Sequence, residues 1–167
     1  LYRDARITPI YEGTNGIQAI DLAGRKLSMA DGAAMTAMIE EIDQTARDAR
    51  DTNDPTLVHI ADRLVVAKEA LSAATDWMKR TMRENREVAL AGATAYLALA
   101  GDVIGGHFLT KGAIEVRSQD GPIRDRLTAL ASFFADTSLA AAPGAVAGVT
   151  HGGEALLVQS EALFGVS

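Results

Sequence analysis

The sequence has 167 residues, 48% of them hydrophobic, with 16 Lys plus Arg against 22 Asp plus Glu and a net charge of −6. That length and apolar content suffice for a packed core and argue against a disordered chain, while the acidic balance argues against nucleic-acid or anionic-membrane surfaces, which need clustered positive charge. Without cysteine, disulfides and thiolate metal sites are excluded, and a reducing, cytoplasmic setting is the expectation.

Residues 1–16 read as irregular, because Pro9 breaks an early helix and Gly13 and Gly16 mark a turn. The opening Leu-Tyr-Arg-Asp has no Met and no basic-then-apolar leader, so the chain is expected to start inside a longer protein. A helix is predicted from Ile17 to about Met29, with Thr14 or Asn15 as its N-cap, and Asp31-Gly32 interrupts it. A second runs from about Ala33 to Arg50, with Met35, Met38, Ile42, Ala46 and Ala49 on one face. After a polar connector, Asp54-Pro55 opens a third: an Asp cap, then Pro at the first helical position, where its missing N–H costs nothing. Its stripe is Leu57, Ile60, Leu64, Ala67, Leu71, Ala74, Met78 and Met82, spaced close to the coiled-coil period. Lys79, Arg80 and Arg83 crowd its end, where cations suit the helix dipole.

Around Glu84-Asn85-Arg86 the pattern resets. A fourth helix carries Val88, Ala91, Ala95, Leu99 and Val103, and its many Ala and Gly residues allow close backbone approach, which places it centrally. Gln119-Asp120-Gly121-Pro122 ends that unit and starts a fifth, with Ile123, Leu127, Leu130 and Phe134 on one face. Ala140 to Gly153 reads two ways, as a loop from its Pro and Gly or as a short helix from its Ala and Val. A last helix is predicted from Glu154 to Phe164. No strand pattern and no solenoid repeat is found. The expected fold is all-α, an antiparallel helix bundle preceded by an irregular active-site segment. The longest low-charge run, Val88 to Gly101, is shorter than the about 20 apolar residues a bilayer span needs, so no membrane span is expected.

Little in the bundle pattern carries chemistry. Of His59, His107 and His151, none lies three residues after a Glu, so a di-iron site is not supported and no metal is expected. His107 is expected to pack with one hydrogen bond and His151 to be solvated. A nucleophile elbow and a phosphate loop are both missing from the sequence. Lys79, Arg80, Arg83 and Arg86 read as a solvated helix end rather than a phosphate site. Trp77 and Met78 read as core, and Gly101-x-x-x-Gly105 as a packing feature. Glu12 is different, standing between Tyr11 and the turn-forming run Gly13-Thr14-Asn15-Gly16. A carboxylate there suits the positive end of a helix dipole, or serves as a base over a substrate; the residues alone leave both open.

The run Tyr2-Arg3-Asp4-Ala5-Arg6-Ile7-Thr8-Pro9-Ile10-Tyr11-Glu12-Gly13-Thr14-Asn15-Gly16-Ile17-Gln18, continued by Ala19 to Leu27, resembles the C-terminal signature of the acyl-CoA dehydrogenases. Beyond Leu27, Asp76-Trp77 and Ala91 to Leu97 are similar, more loosely, to an extra helical domain in longer bacterial members. The resemblance implies that residues 1–30 end the dehydrogenase helical domain and carry its catalytic loop, and that residues 31–167 form the extra bundle. It implies that Glu12 removes the α-proton of an acyl-CoA thioester while the β-hydride goes to N5 of FAD. The Glu12 backbone N–H and a ribityl hydroxyl would polarise the thioester carbonyl, since a developing enolate needs donors aimed at its oxygen. An apolar pocket would supply the raised pKa that such a base needs.

By the same resemblance, Gly13 lets the backbone pass close to the substrate, and Thr14, Asn15 and Gly16 contact FAD. Gly16 departs from the commoner side-chain amide and offers backbone only. Gln18 matches an Ile-Gln pair that opens the helix and reads as structural. The family's other domains do not fit within this sequence, so the chain alone is expected to be inactive and without bound FAD. The implied partners are an acyl-CoA substrate, an electron-transferring flavoprotein and further copies in a homo-oligomer. An acyl-CoA oxidase and a non-catalytic helical interaction module are the alternatives.

Overall fold

A computed structural model describes residues 14–153 and Gly165, and among these every regular element is helical. Helix α1, Thr14–Asp21, runs on as a π-helical turn, Leu22–Lys26, and a tight turn at Met29–Gly32 reverses the chain. Then follow α2 (Ala33–Asp51), α3 (Pro55–Glu84), α4 (Arg86–Ala91), α5 (Ala93–Val116) and α6 (Pro122–Phe134). A second π-helical turn, Ala135–Leu139, joins α6 to α7 (Ala140–Thr150). The all-α bundle predicted from the sequence is the fold found. The irregular segment over residues 1–13 and the predicted helix from Glu154 to Phe164 lie outside the described residues.

Helix α3 is the spine, packed by α2, α4, α5, α6 and α7. It starts where the sequence predicts: the Asp54 carboxylate accepts from the backbone N–H groups of Thr56 (2.8 Å) and Leu57 (3.3 Å), and Pro55 follows. Leu57, Ile60, Leu64, Ala67, Leu71, Ala74 and Met78 are all buried, and Trp77 packs partly against the same core. Burying a Leu-sized side chain contributes about 1.5–3 kcal/mol, so this stripe alone is a large share of the hydrophobic driving force. Thr75 donates to the Leu71 carbonyl (2.7 Å) and so accepts from the buried Tyr96 hydroxyl (2.9 Å), which ties α3 to α5 without an orphaned polar group. Burial pushes the Tyr96 phenol up from its ordinary range.

Two sequence expectations need correction. Thr14 and Asn15 are already helical, so neither caps α1. The predicted fourth helix is two, because Asn85 in an extended conformation caps α4 by accepting from Val88 N–H (3.3 Å) and the chain breaks again at Gly92. A side chain at Gly92 would collide with the Val149 carbonyl, so the glycine is where α7 comes closest to the α4–α5 junction. Of the two readings of the stretch from Ala140, the helix is the one found: Ala140–Thr150 is helical despite Pro143, whose ring nitrogen has no proton for the Leu139 carbonyl. Buried Ala142 and Val149 and the nearness of Gly148 to Ala95 show why: packing against α3 and α5 overrides the local preference.

The buried face of α6 is also not the predicted one. Ala131, Ala135 and Leu139 enter the core, Leu127 and Phe134 are half-buried, and Ile123, Leu130 and Phe133 face solvent. The continuous helix Pro122–Thr150 is long and apolar enough to cross a membrane by length and composition. It nevertheless packs into the bundle through Ala131, Ala135, Leu139, Ala142 and Val149, and carries an ion-paired Asp136 midway. Of the Gly101/Gly105 pair, Gly105 meets the Phe134 ring while Gly101 faces open space. The tighter approach is at Gly106, where an added Cβ would lie 2.6 Å from a Leu139 methyl.

Candidate functional site

Helix α1 follows directly on the residues that the sequence marks for chemistry. Ala19, Ala23 and Leu27 recur every four residues and are buried, so this stripe docks the segment, with α1 against α5 and the π-helical turn also touching α3 and α4. The opposite face is open: Ile17 is 65% exposed and Ile20 48% exposed. Asn15, Gly16 and Gln18 are exposed and Thr14 half-buried. An added Cβ at Gly16 would meet nothing within 4 Å, so no neighbour within the described chain requires glycine there. Glu12 and Gly13, the predicted base and its neighbour, lie outside the described residues. Thr14, Asn15 and Gly16, the predicted FAD-contacting run, lie together in the first described turn of α1. Asp21 accepts from Nε and Nη2 of the Arg25 guanidinium (2.5 and 2.8 Å), which holds its carboxyl below the usual range.

Where α1 ends, the chain meets the cations at the end of α3. Ser28 donates to the Arg25 carbonyl (2.7 Å) and closes the π-helical turn. Ala30, Asp31 and Gly32 then take left-handed conformations in succession, with φ of 46, 54 and 80°. Lys79 Nζ donates to the Asp31 carbonyl oxygen (2.6 Å) and lies 3.7 Å from its carboxylate. Arg83 reaches the same carboxylate at 2.5 Å. These side chains, with Gly24, Met82 and Arg86, line a cleft of about 260 Å³. Sequence reasoning treated Lys79 and Arg83 as a solvated helix end and missed Asp31 as their partner, because 48 and 52 residues separate the pairs.

Two other polar clusters stand apart. His59 Nε2 and Asp136 Oδ1 are 2.7 Å apart at the surface, with Arg63 at 3.5 Å; the His59 imidazole foremost holds the Asp136 carboxyl below the usual range. On α5, His107 is fully buried, as expected, but neither ring nitrogen has a hydrogen-bond partner among the described residues. The nearest carboxylate, Glu41 on α2, is 3.6 Å from Nε2 and is itself bound by Lys111 at 2.8 Å. Lys111 holds the Glu41 carboxyl below its usual range, and burial holds the His107 imidazole below its own. His151 is exposed. Among the described residues no three His, Asp or Glu side chains come together as metal ligands would.

Comparison with known proteins adds two findings. The sequence model of a family described as acetyl-CoA dehydrogenase C-terminal like matches residues 38–158. A 3-methylmercaptopropionyl-CoA dehydrogenase of Ruegeria pomeroyi is 32% identical over 164 residues, covering 95% of this chain. The chain spans 28% of that protein's length.

Proposed function

The chain belongs to the acyl-CoA dehydrogenases through its acetyl-CoA dehydrogenase C-terminal-like region, and from that premise we propose that it is the C-terminal part of an FAD-dependent enzyme in which Glu12 is the catalytic base. A match over 95% of the chain leaves too few residues at its ends to leave out the Tyr11-Glu12-Gly13-Thr14 segment, and this observation carries the reading. In the proposed reaction Glu12 takes the α-proton of an acyl-CoA thioester. An α-C–H is a weak acid, so the step needs backbone N–H donors at the carbonyl oxygen, and Glu12 supplies its own. Gly13 lets the backbone approach the thioester without a side chain between them.

Thr14, Asn15 and Gly16 would hold the flavin, which when bound supplies the hydride acceptor. The open space at Gly16 and the exposure of Asn15 fit a group approaching this turn from outside the bundle. The unburied Ile17 and Ile20 fit a further domain covering the same face. Residues 1–30 then complete the dehydrogenase domain, and residues 31–167 form a bundle that carries no chemistry of its own. The isolated chain binds FAD weakly at most and does not turn over. A cytoplasmic homo-oligomer that passes electrons to an electron-transferring flavoprotein completes the proposal.

The test is Glu12→Gln in the full polypeptide. Loss of a general base removes roughly 10²- to 10⁴-fold of rate, and flavin reduction by the thioester should fall by that much with flavin content unchanged. Dehydrogenation at the original rate would end the assignment.

A further inference from the structure

The cleft between the π-helical turn and the end of α3 is cationic although the chain is acidic overall. Lys79, Arg83 and Arg86 line it against a single carboxylate, Asp31, in a chain of net charge −6. The excess is local, because in the neighbouring cleft Asp31, Asp76 and Glu84 face Lys79, Arg80 and Arg83, three against three. Asp31 compensates only part of the cationic side. Its carboxylate accepts from Arg83 (2.5 Å), but Lys79 Nζ makes its short bond to the Asp31 carbonyl (2.6 Å) and stands 3.7 Å from the carboxylate. The Lys79 side chain is only 23% exposed, so water screens its charge less than on the open surface. Arg86 makes no ion pair among the described residues. It opens α4, where the helix dipole disfavours a cation. A Cβ on Gly24 would lie 3.3 Å from the Met82 methyl and 4.0 Å from Arg86 Nη2, so the bare backbone of the π-helical turn lets the guanidinium lie against it. Two backbone irregularities border the same cleft: the π-helical turn itself and Asp31, whose φ is 54°. Such features concentrate at ligand sites.

We propose that this cleft binds a phosphoryl group through Lys79, Arg83 and Arg86. The site is independent of the Glu12 assignment. Lys79 has two ammonium protons beyond the one on the Asp31 carbonyl, and each arginine presents a planar fork of donors that matches an oxyanion. The Asp31 carboxylate already takes up part of one fork, so a further monocarboxylate adds little, whereas a tetrahedral dianion offers three oxygens to three cations. Size sets a second limit. The cleft of about 260 Å³ is smaller than the roughly 300–1,000 Å³ of pockets that enclose a whole small molecule, so it takes one phosphoryl group and leaves any remainder of the ligand in solvent. Buried Ala23 and Leu27 form an apolar floor that strengthens charge interactions above it. Asp31 has two effects here: it holds Arg83 in the cleft when no anion is bound, and it repels the anion. A solvated helix end, the reading from sequence, accounts for Lys79 and Arg83 on α3 but not for Arg86 on α4 or for its contact across Gly24.

The experiment uses the full polypeptide carrying its flavin. Isothermal titration calorimetry at low ionic strength measures inorganic phosphate binding to the unmodified protein and to Arg86→Gln, Lys79→Met and Asp31→Asn, with melting temperature and flavin content alongside. Phosphate sites elsewhere are common to all four proteins, so the differences isolate the cleft. Arg86→Gln and Lys79→Met should each weaken phosphate binding by about 10- to 100-fold, the effect of one charge-assisted hydrogen bond. Asp31→Asn keeps a residue that tolerates the left-handed turn and removes the competing charge, so it should tighten binding by about fivefold or more. A purely structural Asp31 gives the opposite sign, since loss of its pairs would loosen the cleft. If Lys79→Met does not fold, Arg86→Gln decides, because Arg86 is exposed. Acetate should bind more weakly than phosphate, and equal affinity overturns the phosphoryl assignment. Methyl phosphate separates two sources of the same group: binding as tight as inorganic phosphate assigns the end of a larger phosphate ester, and loss of binding assigns the free ion. Phosphate affinity within about twofold of the unmodified protein in both Arg86→Gln and Asp31→Asn overturns the site.

Discussion

Helix α1 and the spine helix α3 use apolar residues in different ways. On α3 the apolar stripe is almost wholly consumed: Ile60, Leu64, Leu71 and Met78 have no exposed surface, and the buried Thr75 beside them is hydrogen-bonded. On α1, Ala19 is buried while the larger Ile17 and Ile20 face solvent, and the segment is joined to α2 through a strained turn. Helical periodicity is satisfied inside the bundle in the first case and directed out of it in the second. The difference teaches that one amphipathic pattern can encode a core and another a docking face, and that the proposed chemistry sits beside the second.

The sharpest way to break this comparison is to truncate the spine. Leu64→Ala should destabilise the isolated chain by about 2–5 kcal/mol, because a fully buried side chain is lost and a cavity remains. Urea unfolding followed by far-ultraviolet circular dichroism measures it, and a cost below about 1 kcal/mol would mean that α3 is not the centre of the core. Gly92→Ala should cost less, about 1–3 kcal/mol, through overpacking. The added methyl meets the Val149 carbonyl, and a backbone atom cannot rotate away. A neutral result in the same assay would detach α7 from the α4–α5 junction.

His107 tests whether the bundle interior is as fully satisfied as the α3 stripe suggests. The groups facing its ring are Glu41 from α2 and, through Glu41, Lys111 from the next turn of α5. Burial lowers the folded-state pKa below the ordinary value of 6.5, while the Glu41 carboxylate opposes the shift. The unfolded chain then takes the proton more readily than the folded one. Stability is therefore complete above about pH 6.5 and is lost as pH falls through that value toward the lower folded-state pKa. His107→Leu should flatten this slope and, at pH 7.5, stabilise the chain by about 1 kcal/mol, since no unpartnered ring nitrogen remains. An unchanged slope between pH 7 and 5 would show that another group titrates there.

Local signals were legible in the sequence where one physical rule decided the outcome. Asp54-Pro55 marks the start of α3 because cap and proline agree, and the stripe from Leu57 to Met78 marks its buried face because one helix faces one core. Rules in conflict were not legible. At Ala140–Thr150, Pro143 and the glycines argue for a loop, and only contacts with Gly92 and Ala95, far away in sequence, settle the helix. The stripe Ile123, Leu127, Leu130 and Phe134 shows that α6 is amphipathic but not which way it turns. The pairing of Asp31 with Lys79 and Arg83 leaves no periodic trace at all. Glu12 was found by resemblance, since a lone carboxylate before a helix has a plain electrostatic explanation.

The smallest expected effect bears on the docking face. Ile17→Ser exchanges an apolar side chain that is 65% exposed and has little contact to lose. In the isolated chain it should change stability by less than about 0.5 kcal/mol, as surface substitutions usually do. In the full polypeptide the same exchange should cost more than about 1 kcal/mol, because an exposed isoleucine that gains cover on assembly transfers its surface out of water. The measurement is thus a difference between two constant backgrounds rather than one absolute value. Equal effects in both would mean that Ile17 stays in solvent throughout, and the open face of α1 would then need an explanation other than a covering domain.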